Sequence, residues 1–204
     1  MIRQSIYTQN FISEGKLHVF RSLSPPRTSL VIWITGLSGA GKTTLANDIA
    51  RLLRAAGRSV VVLDGDDLRE VLTPVTFDAE SHTREKRFAI AKVYSRLSLL
   101  LADQDLTVVV ATISLFHEIH RWNRKNLPDY FEVYLKVPMN ELQRRDPKDL
   151  YRRAETGEIS NVAGIDLAVD YPLGPDWEVE YLPGKSSVSL AVELSEKLGV
   201  PRER

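Results

Sequence analysis

One stretch constrains this chain more than any other: Val31-Ile-Trp-Ile-Thr-Gly36-Leu-Ser-Gly39-Ala-Gly41-Lys42-Thr43-Thr44. Leu30 to Ile34 is a short apolar and β-branched run of the kind a sheet buries, and Leu45, Ile49, Leu52 and Leu53 recur afterwards at helical spacing. Between the two lies G-x-x-x-x-G-K-[ST], filled by Gly36, Gly41, Lys42 and Thr43. Glycines let the backbone curl so that consecutive N–H groups, including those of Ser38, Gly39, Ala40 and Thr44, turn inward at the start of a helix. Such a ring suits the oxygens of a triphosphate. Lys42 is then placed to reach the β- and γ-phosphates, and the Thr43 hydroxyl to bind Mg²⁺. The competing reading is a glycine turn that binds nothing; strand, loop and helix in this order argue against it.

With 204 residues the chain is long enough for one domain with a real core. Lys+Arg and Asp+Glu are equal at 27 each, so net charge gives no sign of a nucleic-acid or membrane partner. The absence of cysteine excludes disulfides, thiolate metal sites and cysteine nucleophiles, and suits a cytoplasmic setting. Four histidines without ligand spacing make a zinc site unexpected. No apolar run reaches the ~18–20 residues of a membrane span, and Met1 to Phe20 lacks the features of a signal peptide.

Residues 1–29 read as an extension ahead of the first core strand. Lys16 to Arg21 alternates weakly like an edge strand, and Ser24-Pro-Pro-Arg-Thr28 is a stiff linker. Residues 30–204 form the main domain. Arg58 to Leu63 reads as a second buried strand. It ends in Asp64-Gly-Asp66-Asp67, where one carboxylate can order Mg²⁺ or accept a proton, while Asp66 or Asp67 can also cap a helix beginning at Leu68. Thr73 to Asp78 reads as a loop, and His82 to Asp103 as a long helix with Phe88, Val93, Leu97, Leu100 and Leu101 on its apolar stripe. The charged start of that helix is either a solvated turn or an anion-binding entrance. Leu106 to Ile113, Tyr130 to Val137 and Trp177 to Tyr181 are further strands, and Val188 to Leu198 is a closing amphipathic helix. His117 reads as a surface or cap residue. The basic run around Arg144, Arg145 and Lys148 leads into short helices, a mobile lid at about 144–160. Strands alternating with helices give an α/β P-loop fold, a parallel β-sheet with helices on both faces.

Several runs in order then bear a closer likeness. Gly36 to Thr44, Leu63-Asp-Gly-Asp-Asp-Leu-Arg69, Ile113-Ser114, Phe131-Glu-Val133, Arg145-Asp-Pro-Lys-Asp-Leu-Tyr151, Gly157-Glu-Ile159 and Gly164-Ile-Asp166 together resemble the adenylylsulfate (APS) kinases. The resemblance implies a kinase that moves the γ-phosphoryl group of MgATP to the 3′-hydroxyl of a nucleotide, and it implies a homodimer. By the same resemblance Asp66 is the catalytic carboxylate acting with Lys42, and Thr43 and Asp66 hold the metal. Arg145 belongs to the ATP side. Asp64, Arg69, Phe77, Arg87, Ile113, Ser114 and Lys148 belong to the acceptor side.

The chain also departs from the family. The family's Asp-Arg and following Asn are replaced by Ser81, His82 and Glu85, and its second base-stacking Phe by Val162. One arginine fewer and one carboxylate more weaken the grip on a doubly charged phosphosulfate, and loss of one aromatic face removes roughly 1–3 kcal/mol of stacking. Ser114-Leu-Phe-His-Glu118 with Trp122-Asn-Arg-Lys-Asn126 resembles a subgroup, tied to capsule sugars, that phosphorylates cytidine diphosphoramidate. The acceptor expected is therefore APS or that cytidine nucleotide.

Overall fold

In the run Val31–Thr35 all five residues are buried, and successive side chains point to opposite faces of the strand. Ile32 and Ile34 join one apolar cluster and Val31 and Trp33 another, so this strand lies at the centre of a sheet covered on both sides. The computed structural model describes residues 8–13, 16–21, 29–76, 83–146 and 148–200. In chain order its elements are β1 (Thr8–Ser13), β2 (Lys16–Arg21), β3 (Val31–Thr35), α1 (Lys42–Ala55), β4 (Val60–Asp64), α2 (Gly65–Thr76), α3 (Arg84–Ala102), β5 (Thr107–Ala111), α4 (His117–Asn126), β6 (Tyr130–Lys136), α5 (Met139–Arg145), α6 (Leu150–Glu155), β7 (Trp177–Glu180) and α7 (Ser187–Lys197). Five strands pair in the order β4-β5-β3-β6-β7, all parallel.

Helices cover each face. Leu45, Ile49 and Leu53 of α1 and Ala191 and Leu194 of α7 meet Ile32, Ile34, Val109 and Val133. On the other side Ala91, Tyr94 and Ala102 of α3 and Ile119 of α4 meet Val31, Trp33, Val108 and Val110. Because every strand points the same way, the loops after β3, β4 and β5 emerge at one edge, where open α/β sheets bind ligands.

Several local expectations change. Lys16–Arg21 does not edge the main sheet; it pairs antiparallel with Thr8–Ser13 in a two-stranded sheet of its own. β4 is an edge strand, so Val60, Val61 and Val62 are half-buried rather than enclosed. The helix expected from Leu68 begins at Gly65, with Asp66 and Asp67 in its first turn. Asp64 does the capping, its Oδ1 accepting the Asp66 N–H at 2.8 Å. That helix runs to Thr76, through most of the stretch read as a loop. The long helix is shorter at both ends, and Thr83 caps it by accepting the Lys86 N–H. Its buried face differs too: Val93 and Leu100 are exposed at 40% and 59%, while Ala91, Tyr94, Ser95, Ser98 and Ala102 face the sheet. Small residues allow close approach to the strands. The Ser95 and Ser98 hydroxyls donate to the carbonyls of Ala91 and Tyr94 and so carry no polar debt into the core.

Ile49 of α1 is completely buried between sheet and helix. Ile49→Ala is expected to lower unfolding stability by about 2–5 kcal/mol, measured as a shifted urea midpoint at unchanged slope.

Candidate active site

The loop after β3 turns on two glycines. Gly36 has φ +149°, and a Cβ there would sit 2.7 Å from the Leu135 carbonyl oxygen on β6, a backbone atom with no room to yield. Gly41, at φ +97°, occupies the N-cap of α1, where its left-handed backbone admits only glycine cheaply. Helix α1 has no acidic residue in its first turn and no side-chain cap, so its leading N–H groups and positive dipole end stay available to an anion. Lys42 folds back on the loop and donates to the Leu37 carbonyl at 2.8 Å. Burial pushes its ammonium down to about 8, against the opposing pull of Asp66 and Asp64.

The two carboxylates after β4 divide sharply. Asp64 is nearly buried and ties elements together: Oδ2 accepts the Thr43 hydroxyl at 2.6 Å and Oδ1 caps α2. Asp66, two residues past the strand end, projects into the open, where Lys148 Nζ lies 2.7 Å from Oδ2 and Arg69 donates to Oδ1. Partial burial would raise the Asp66 pKa, but Lys148 and Arg69 outweigh it and hold the carboxyl below the usual range. The hydroxyl of Thr43 is thus coupled to Asp64.

A cleft of about 860 Å³ gathers most of the residues singled out from the sequence. Ser38, Gly39, Gly41, Lys42, Thr43 and Thr44 line one end; Asp64, Asp66, Arg69, Arg87, Ile113, Arg145, Lys148 and Val162 line the rest. Gly36 is a packing glycine beside it, and Ala40 faces a neighbouring pocket. Phe77 and His82 lie outside the described residues, as does Ser81. The stretch 144–160 lies over the phosphate loop: Arg145 donates to the Gly39 carbonyl at 3.0 Å and the Tyr151 hydroxyl to the Ser38 carbonyl at 2.9 Å.

Other lining residues went unnoticed. Arg153, Ser160 and Asn161 join the cleft from the lid side, and Tyr151 was visible only as the end of the Arg145–Tyr151 run. A pocket of about 180 Å³ next to Gly41 and Thr44 has an apolar floor of Leu135 and Val137, and the Arg145 guanidinium stands 4.9 Å from the Tyr181 ring centre at its side. A planar base can stack there. Nothing in the local sequence around Tyr181 marks it, because its role arises from β7 lying beside β6.

A narrow pocket shares Arg69, Arg87, Thr112, Ile113 and Ala163 with the cleft and extends to Ser114, Phe116 and Leu167. The charged start of α3 holds its far wall. Arg84 donates to the Ala168 carbonyl at 3.0 Å and to Asp170 at 2.9 Å, with its guanidinium 5.0 Å from the Phe116 ring centre. Arg87 donates to the Asn161 carbonyl at 2.7 Å. Asp166 accepts the N–H groups of Asn161 and Val162, which holds its carboxyl below the ordinary range. His117 opens α4, with its ring against the Tyr171 carbonyl at 2.9 Å.

The family model of adenylylsulphate kinase matches residues 28–180. The chain belongs to that family. It is an ATP-dependent nucleotide kinase that transfers phosphate to a hydroxyl acceptor. It is 41% identical over 142 residues to a cytidine diphosphoramidate kinase of Campylobacter jejuni, a match covering 70% of this chain and 81% of that protein. With an adenylyl-sulfate kinase of Picosynechococcus it is 38% identical over 149 residues, 73% of this chain and 82% of that one. Among solved structures it is similar to the Mycobacterium tuberculosis APS kinase CysC in complex with AMPPNP and APS. The TM-score is 0.76 and the identity 36%, over 86% of this chain and 99% of that one.

In this kinase the carbonyl facing Gly36 belongs to a central strand. Gly36→Ala is expected to displace the phosphate loop and weaken AMPPNP binding by at least tenfold, read by isothermal titration calorimetry, with far-UV circular dichroism unchanged.

Proposed function

We propose that this kinase transfers the γ-phosphoryl group of ATP to the 3′-hydroxyl of a nucleotide, with cytidine diphosphoramidate as the acceptor. The observation that carries the reading is the single cleft in which Lys42 and the amides of the phosphate loop face Asp66, Arg69, Arg87 and Lys148. The phosphate tail of ATP lies on the loop amides and α1, and Lys42 leaves the Leu37 carbonyl to meet the β- and γ-oxygens. Asp66 takes the proton of the ribose hydroxyl as its oxygen bonds to the γ-phosphorus. The bond from that phosphorus to the bridging oxygen breaks, and ADP leaves with the electron pair. Lys148, already on Asp66, and Arg145, already on the loop, neutralise charge on the transferred group.

Hard oxygen donors suit Mg²⁺, and the Thr43 hydroxyl beside Asp64, with Asp66 two residues on, supplies such a set. Bound there, Mg²⁺ would screen the charge of the phosphate tail. Among the described residues no three His, Asp or Glu side chains converge, which suits an ion held mainly by substrate phosphates.

The acceptor assignment is supported by the higher identity to the cytidine diphosphoramidate kinase, by Val162 where the family stacks a ring, and by the engagement of Arg84 with Asp170. APS remains the second reading because Arg69 and Arg87 both line the cleft. A homodimer belongs to the same reading on the resemblance, and a cytoplasmic setting on the absence of cysteine.

Initial rates with the two acceptors decide between them: kcat/KM is expected to favour the cytidine compound by at least tenfold, and a preference for APS would reverse the assignment. Asp66→Asn should lower kcat by roughly 10²–10⁴-fold with AMPPNP affinity kept within about twofold. The Lys42 ammonium is charged below about 8 and neutral above, and bound phosphate favours the charged form. AMPPNP affinity should therefore be constant below pH 8 and fall toward tenfold per unit above it, and Lys42→Met should abolish that slope.

A further inference from the structure

His120 on α4 and Glu132 on β6 are both buried, at 7% and 2% exposure, and neither lines the cleft. His120 Nε2 lies 3.1 Å from the Ser114 carbonyl oxygen. A carbonyl only accepts, so Nε2 carries hydrogen. The other ring nitrogen, Nδ1, is 3.2 Å from Glu132 Oε1, and both atoms are buried with no hydrogen-bond partner among the described residues. A neutral ring protonated at Nε2 presents a lone pair at Nδ1, and an ionised Glu132 would set a second lone pair against it. Two buried acceptors face to face are costly, so one proton stands between them.

The surroundings say where that proton rests. Burial pushes the His120 ring down to about 4 and the Glu132 carboxyl up. Arg124 Nη2 bridges Glu132 Oε2 at 3.1 Å and Asp176 Oδ2 at 3.0 Å. Asp176 balances the arginine charge, so with a neutral ring only an uncharged Glu132 leaves the group neutral. His117 and Asp170 act on the ring from the start of α4 and the loop before β7, and Tyr130 faces Glu132 from β6.

Ser114 lies within residues 112–116, the segment that walls the narrow pocket. The rest of that segment is held as well: Thr35 donates to the Ile113 carbonyl at 2.7 Å, the Thr112 and Ser114 hydroxyls pair at 2.8 Å, and the Asp170 N–H donates to the Leu115 carbonyl at 3.1 Å. We propose that His120 is a positioning residue for the phosphate acceptor: the carboxylic acid of Glu132 donates to Nδ1, fixes the Nε2–H tautomer, and through it holds the Ser114 carbonyl and the acceptor wall in place. The step from Ser114 to the acceptor rests on the proposed function, with Ile113 and Ser114 on its acceptor side; the tautomer does not.

Two measurements test it. Long-range proton–nitrogen NMR on the unmodified protein at pH 7 should show His120 neutral and protonated at Nε2. Initial rates are then compared for His120→Phe, Glu132→Gln and Glu132→Met, with ATP and with both APS and cytidine diphosphoramidate as probes. Gln can still donate to Nδ1, so Glu132→Gln should keep the acceptor KM within about twofold. His120→Phe and Glu132→Met should raise it about fivefold or more, the worth of one hydrogen bond, with the KM for ATP within about twofold. A ring protonated at Nδ1, a Glu132→Gln as impaired as Glu132→Met, or equal rises in both KM values would overturn the proposal. Turnover of neither probe by the unmodified protein would sink the acceptor reading, and the NMR result would still decide the tautomer.

Discussion

The arrangement depends on burying both faces of β3. A strand with Val31 and Trp33 on one side and Ile32 and Ile34 on the other can be satisfied only by neighbours in the sheet and helices above and below. Once β5 and β6 flank it in parallel, the chain leaving β3 has to turn at the sheet edge, and the Leu135 carbonyl of β6 already fills the space a side chain would take at Gly36. The phosphate loop is therefore shaped from below by the sheet as well as from within by its glycines. Thr43 and Asp64 carry the same constraint sideways, joining the start of α1 to the end of β4 across the edge.

Much of this was legible because it is local. The glycine loop, the strand before it and the helix after it are written within twenty-five residues, and the alternation of β3 follows from a period of two. What was not legible depended on neighbours. Whether Val60 to Val62 are enclosed depends on β4 lying at the sheet edge, which no property of a valine run records. Val93 and Leu100 look like core residues by hydrophobicity, yet small side chains at Ala91, Ser95 and Ser98 bring the other face of α3 against the strands. Close packing prefers the face that can approach, not the face with the larger residues. At the site, sequence alone could not separate Asp64 from Asp66. They differ by two positions, but one closes a strand end and is consumed by internal bonds, while the other begins a helix and projects into the cleft.

Before any ligand arrives, the site's charges satisfy one another. Lys42 rests on a carbonyl, Lys148 and Arg69 rest on Asp66, and Arg84 rests on Asp170. The contacts to Asp66 are exposed, and such pairs contribute little to stability. Nucleotides can therefore displace them at small cost, while Arg145 and Tyr151 keep the lid anchored to the loop by bonds to the Gly39 and Ser38 carbonyls. The loop around Asn161 is held more firmly, since Asp166 accepts two backbone N–H groups and Arg87 donates to a backbone carbonyl.

Net charge does not report local charge. The chain carries 27 basic and 27 acidic residues, a balance that gives no sign of a nucleic-acid or membrane partner. Yet among the described residues Lys42, Arg69, Arg87, Arg145, Lys148 and Arg153 line the cleft against two carboxylates, Asp64 and Asp66. One of those carboxylates is turned inward on Thr43 and the helix start, which leaves Asp66 as the single acidic group facing the cations. A concave, strongly positive cleft in a neutral protein draws polyphosphates to one place without attracting them over the whole surface. It also makes the environment of Asp66 depend on what is bound. Every phosphate that occupies the cations loosens their hold on its carboxyl, and a carboxyl so released becomes a stronger base when the donor phosphates are in place.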